Sequence, residues 1–240
     1  MKRRLIWVFL LVVPLGIVAT LPASLFLPNE EGAVEFQQVT GTIWSGQARL
    51  KLPQQSPLPV SWRWGGGLTW DWSIASRDLA IEGQWRPSNR DRLENISGEI
   101  NIQYLDVAQW LVVIWPEGQL ILDVSYVEFE PGIALAASGQ LLWQKARLAG
   151  LVNESLGDLT IDLRPHETLA GHTIADIQSN SRGAVRVSGE LSSNSDRYQA
   201  LIKLQPSAER LDLLPYLLPL GRFSDGAIRI ERSGQLGVFE

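Results

Sequence analysis

The chain has 240 residues, 45% hydrophobic and 20% charged, a balance that excludes disorder and suffices for one domain or two fused lobes. It contains no cysteine, which excludes disulfides and thiolate metal sites. The formal charge is -5, and three of the 21 basic residues, Lys2, Arg3 and Arg4, open the chain. The remaining chain is therefore more acidic still, its Lys and Arg are scattered, and nucleic acid is excluded as a partner because that affinity rests on clustered cations.

From Leu5 to Pro28 there is no charged residue. The most apolar part, Leu5 to Leu21, would be about 26 Å long as a helix and needs only a few more residues to cross a hydrocarbon core of about 30 Å. Lys2, Arg3 and Arg4 precede it while Glu30, Glu31 and Glu35 come after it, so the N-terminus is expected on the cytoplasmic side and the rest outside. A cleaved signal peptide begins in the same way. However, Ala23 follows Leu21 and Ala19 follows Ile17 at the two-residue spacing that needs small side chains, and an uncleaved anchor is the better reading. The chain thus divides into a cytoplasmic tip and transmembrane anchor, residues 1-28, and a β-rich domain, residues 29-240.

Beyond the anchor, Leu52 to Pro59 carries three prolines and reads as an extended connection. Alternation then dominates, placing every second side chain on one face. Leu79, Ile81 and Trp85 share a face, as do Ile96, Ile100, Ile102 and Tyr104. The same holds for Leu159, Ile161 and Leu163, for Val185, Val187 and Leu191, and for Tyr198, Ala200, Ile202 and Leu204. Short runs separated by Gly, Pro, Asn and Ser predict an antiparallel sheet rather than βαβ units. Two or three short helices are expected. Leu105 to Trp115 ends at Pro116, Ala208 to Leu220 is interrupted by Pro215 and Pro219, and Thr168 to Asn180 is a weaker third.

A four-residue string, Ser-Gly-(Glu or Gln)-(Ile or Leu), recurs at Ser97, Ser138, Ser188 and Ser233. It is embedded in a longer pattern, which predicts two related halves at about 93-150 and 185-240, each a sheet segment with one short helix. Gly98 and Gly189 fall on the apolar face, where a missing side chain lets another element approach closely or lets the sheet curve. The fold expected is therefore mainly β, a transmembrane helix followed by a curved antiparallel sheet.

No catalytic pattern emerges. His166 and His172 lie six apart without a third ligand at metal spacing, and surface loops account for them. Asp71, Asp158 and Asp162 are isolated, and the Gly65 to Gly67 run lacks a following Lys-Ser or Lys-Thr. Asn95-Ile-Ser97 matches a glycosylation acceptor but overlaps the repeat. Neither an enzyme, a metal nor a cofactor is indicated.

Four of the ten tryptophans, Trp62, Trp64, Trp70 and Trp72, sit at alternate positions on either side of Gly65 to Gly67. They predict a hairpin whose indoles share a face. Such a ladder serves either as core or as an interaction surface for peptide, glycan or lipid.

The basic start, the apolar span ending in Leu21-Pro22-Ala23-Ser24, the string Val39-Thr-Gly-Thr-Ile-Trp-Ser-Gly46 and Trp62-Arg-Trp64 together resemble type II secretion protein N (GspN). The resemblance implies an accessory, non-enzymatic scaffold or adaptor of the type II secretion apparatus. It further implies a single span in the cell inner membrane of a Gram-negative bacterium, a periplasmic domain, and as partners the inner-membrane platform and the secretin. The layout is also similar to AsmA-like proteins, which implies as the alternative a periplasmic carrier of lipid or another hydrophobic ligand.

Overall fold

A computed structural model describes residues 18-25, 27, 35-51, 56-89, 92-105, 114-130, 133-150, 153-169, 171-180, 183-194 and 197-235. The alternation of apolar and polar side chains becomes fourteen strands in one antiparallel sheet. They are β1 (Glu35–Gly41), β2 (Ser45–Lys51), β3 (Leu58–Gly66), β4 (Thr69–Ala75), β5 (Leu79–Trp85), β6 (Arg92–Asn101) and β7 (Ile114–Glu130). Then come β8 (Ile133–Gly150), β9 (Glu154–Pro165), β10 (Thr173–Ser179), β11 (Val185–Ser193), β12 (Arg197–Pro206), β13 (Arg222–Ser224) and β14 (Ala227–Gln235). Each strand pairs with its sequence neighbour through β12. The last hairpin then turns inside out, so β14 lies beside β12 and β13 is outermost. The sheet is open, with β1 and β13 at its edges.

Register places one apolar residue per strand in a single row. It runs from Ala48 through Val60, Ile74, Ile81, Gly98, Leu122, Leu141, Ile161, Ile177, Gly189 and Ile202 to Ile230. One residue along, the opposite face carries Ser73, Glu82, Ser97, Asp123, Gln140, Asp162, Asp176 and Glu190. One face is thus aliphatic and the other polar and acidic, as an antiparallel sheet with one wet face requires.

A second layer exists only locally. Leu214–Leu217 is the α-helix of this layer, α1, with a 3₁₀ turn on each side. Leu213, from the turn before it, and Leu217 pack with Leu159, Val185, Val187, Leu204 and Ile228 to form the larger core. Arg210, at the entry to this segment, reaches Glu154 at the start of β9 with both guanidinium nitrogens, at 2.7 and 2.6 Å. The hydrogen bonds from Arg210 hold the Glu154 carboxyl below its ordinary range. A smaller core, Leu58, Leu79 and Ile100, sits elsewhere on the same face.

One expected helix is corrected: Thr168 to Asn180 is a loop followed by β10. The expected helix Leu105 to Trp115 lies outside the described residues apart from its ends, Leu105 closing a 3₁₀ turn, Ile102–Leu105, and Ile114 and Trp115 opening β7. Ile102 and Tyr104 consequently leave the strand that alternation had extended through them. The segment Ala208 to Leu220 supplies the short helix expected of it. Among the described residues no helix is long and apolar enough to cross a membrane. The predicted span lies outside them apart from Val18 to Leu21.

The repeated strings fall on β6, β8, β11 and β14. What approaches the glycine is the backbone of the adjacent strand at Gly98, Gly139 and Gly189, and the Tyr198 ring at Gly234. A Cβ on Gly98 would lie 2.1 Å from the Ala80 carbonyl oxygen, and one on Gly139 would lie 2.4 Å from Val124 Cα. Both have positive φ, +151 and +153, so any side chain is doubly penalised. Gly98→Ala is expected to cost about 1–3 kcal/mol. Gly226→Asn, at φ +75 with nothing within 4 Å, should be nearly neutral; thermal unfolding of the two variants checks the contrast.

The Arg210 clamp gives a pH dependence. Because the folded carboxyl is held low, its stabilisation is present above pH about 4.5 and is lost as pH falls through the lowered value. Glu154→Gln should lower the melting temperature at neutral pH and flatten its further decline below pH about 4.5, read from melting curves across an acid series.

Candidate interaction surface

Strands β3 and β4 form the hairpin that alternate tryptophans predict, with Trp62 opposite Trp72 and Trp64 opposite Trp70. Alternation puts all four on the aliphatic face, in line with Val60 and Ile74. Trp62 and Trp72 lie in a cross-strand row between two glycines, Gly46 on β2 and Gly83 on β5. A Cβ at Gly46 would lie 2.3 Å from the Trp62 ring and one at Gly83 would lie 2.6 Å from the Trp72 ring. The indoles therefore lie over strand backbone that has no side chain to displace them.

The next row, Trp64, Trp70 and Trp85, acquires a fourth indole that hairpin reasoning had not joined to it. Trp44, delivered by the turn between β1 and β2, stacks on Trp70 at 5.9 Å and meets Trp64 edge-on at 5.7 Å. Trp70 in turn lies 6.0 Å from Trp85. These separations suit attraction between ring quadrupoles.

The string Val39 to Gly46 organises the cluster. Gly41, at φ +90, ends β1 and turns the chain so that its carbonyls face the indoles. Thr42 O accepts from Trp62 Nε1 at 3.0 Å, and Ile43 O accepts from Trp70 Nε1 at 2.8 Å. Trp44 Nε1 donates to Val18 O at 2.8 Å, and Trp64 Nε1 to Gly67 O at 2.9 Å. Trp72 Nε1 is buried without a hydrogen-bond partner among the described residues. Exposure is uneven: Trp64 is 46% exposed and Leu68 in the hairpin turn 67%, whereas Trp62, Trp70 and Trp72 are half-buried. The arrangement buries part of each indole on the sheet and leaves Trp64 and Leu68 exposed. Trp44 belongs to it, and the signal that could have found it is the string already singled out, which ends beside Gly46.

The polar face behind this hairpin has a shallow cavity of about 440 Å³, bordered by Arg63, Asp71, Glu82, Gln84 and Asn95. Asp71 accepts from Gln84 at 3.0 Å, Asp162 from Gln140 at 2.7 Å, and Asp158 from the Lys145 backbone at 2.8 Å. These carboxylates are hydrogen-bonded to neighbouring strands rather than converging on one point. His166 and His172 close their loop, with His166 N donating to His172 O at 2.8 Å and the rings edge-to-face at 6.1 Å. Asn95 lies in β6 at φ +50 and donates to Gln84. Among the described residues no three His, Cys, Asp or Glu are grouped as metal ligands.

The geometry separates two tryptophans by cost. Trp70→Ala removes two ring contacts and leaves the Ile43 carbonyl without its donor, and should destabilise by about 3–5 kcal/mol. Trp64→Ala, half in solvent, should cost well under that. Denaturant unfolding followed by far-ultraviolet circular dichroism checks the ranking, and equal losses would refute it.

Neither the curated proteins nor the solved structures contain a match to this chain. The family model described as Type II secretion system (T2SS), protein N, matches residues 32–231. That range runs through the organising turn, the tryptophan hairpin and all but the end of the sheet, and the chain belongs to this family of type II secretion components.

Proposed function

We propose that the chain is an accessory, non-enzymatic scaffold or adaptor of the type II secretion apparatus. In this reading residues 1-28 anchor it in the inner membrane with the N-terminus cytoplasmic, and residues 29-240 work in the periplasm. The observation that carries the reading is the open single sheet which, among the described residues, has a free edge at β1 and another at β13, in a family of secretion components. An unpaired strand edge presents a row of backbone donors and acceptors that another chain's strand can complete. The inner-membrane platform and the secretin are the partners this predicts. The recurrence of Ser-Gly-(Glu or Gln) on β6, β8, β11 and β14 supports the reading of two related halves, about 93-150 and 185-240, with the extra residues of the second forming β12.

A second reading draws on a specific feature, the aliphatic row from Ala48 to Ile230, interrupted only at Gly98 and Gly189. The α1 segment covers only part of that face, and Leu122, Leu141, Ile161 and Ile177 in its middle remain half-buried. An AsmA-like carrier of lipid or another hydrophobic ligand would use such a surface.

Because the chain has no cysteine, single cysteines at Gln38 beside the first edge, Asp225 beside the second and Asn153 can be crosslinked in secreting cells. The scaffold reading expects capture of platform or secretin subunits from an edge position. A photocrosslinker at Ile161 that captures lipid, with none captured at Asp162 on the other face, would favour the carrier instead. Edge positions that capture nothing in cells secreting normally would sink the scaffold reading.

A further inference from the structure

We infer that the tip of the β3–β4 hairpin, with Trp64 and Leu68, seats in the interfacial layer of the phospholipid membrane and holds the sheet against it. The inference rests on the anchor reading of residues 1-28 and says which part of the sheet meets the bilayer.

The argument begins where the uncharged run ends. Val18 O accepts from Trp44 Nε1 at 2.8 Å, and Leu21 O accepts from Ile43 N at 3.1 Å. Pro22 then bridges to Thr42, and Ala23 is buried against the sheet. The last residues of the run are thus bonded directly to the turn that organises the tryptophan cluster. Val18 is three positions before Leu21, about 5 Å along a helix. A run that spans the bilayer and emerges near Leu21 therefore delivers Trp44 to the boundary between hydrocarbon and headgroups. Indoles favour that depth because they join a large apolar ring to one N–H.

The hairpin beside Trp44 fits the same layer. From Trp64 to Trp70 it carries no charge. Its large apolar side chains face outward: Leu68 is 67% exposed and Trp64 46%, and Leu25, close to the end of the anchor, is 70% exposed. Trp64 touches Trp44 edge-on at 5.7 Å, so the exposed ring is continuous with the one tied to Val18. In water these residues would be an uncompensated apolar patch; at the interface they are buried to the depth of the headgroups. Arg63 and Asp71, the nearest charges on the two strands, are opposite each other one step back from the tip, which leaves only uncharged residues to enter.

The test uses the full chain reconstituted in vesicles of phosphatidylethanolamine and phosphatidylglycerol. One cysteine at a time, at Leu68, Asn153 or Asp225, carries an environment-sensitive fluorophore. Flotation first measures whether the chain is membrane-bound. The expected result is flotation, with the Leu68 label quenched by nitroxide lipids several-fold more than the labels at Asn153 and Asp225, and shielded from aqueous iodide. If the chain floats but Leu68 behaves like Asn153, or all three sites are quenched equally by lipid, the seating is wrong and the anchor stands. If the chain does not float, the anchor reading and this inference fall together.

Discussion

The constraint on which everything else depends is that one sheet supplies nearly all the structure while only one of its faces is aliphatic. In a sandwich, a second sheet would bury that face. Here the row from Ala48 to Ile230 has only α1 and its flanking turns over one part of it, and much of the rest is half-buried. Backbone hydrogen bonding links each strand to its neighbours across the sheet, so its order does not depend on a central core. The cost is an incompletely covered apolar face and two open edges. Both functional readings arise from these consequences of having a second layer only locally.

Glycine lets the strands crowd without side-chain collision. At Gly98 and Gly139 the neighbouring backbone stands where a Cβ would be, and at Gly46 and Gly83 a tryptophan ring does. The two uses differ physically. The first brings strands together at a conformation closed to other residues, whereas the second lays a large ring flat on the sheet and so supplies cover that no helix provides at that end. Trp44, arriving from the β1–β2 turn, completes the cover.

Much of this was legible from residue order, because alternation is a local signal. The strands containing Leu79, Ile96, Leu159, Val187 and Ile202 follow from it directly. Where it failed, the failure has a cause. In β10 both Ile174 and Ala175 are buried, so apolar side chains point to both faces and the run imitates a helical stripe. Pro116 looked like a helix terminator, yet it lies within β7, before the pairing with β6 begins at Gln119. Among the described residues one edge of β7 is unpaired there, and a proline is tolerated. The tryptophan hairpin was legible because glycines mark its turn. The joining of Trp44 to Trp70 and of Val18 to Trp44 was not, since each spans 26 residues and no periodicity reaches so far.

That long-range link alters how the apolar N-terminal run and the sheet relate. Had Val18 to Leu25 been a free tether, the sheet could take any orientation and the exposed indoles would be an incidental surface. Instead a carbonyl at the end of the run accepts from Trp44, a backbone bond joins Leu21 to Ile43, and Ala23 is buried. Trp44 stacks on Trp70, which is itself bonded to Ile43 O, so the attachment closes on itself. A force transmitted through the run would reach the first hairpins as a rigid unit rather than pull one strand away from the edge. An open sheet is weakest at its edges, and this junction braces the edge nearest the attachment, while the β13 edge has only its short hairpin with β14. Among the described residues the β13 edge is therefore the less braced of the two.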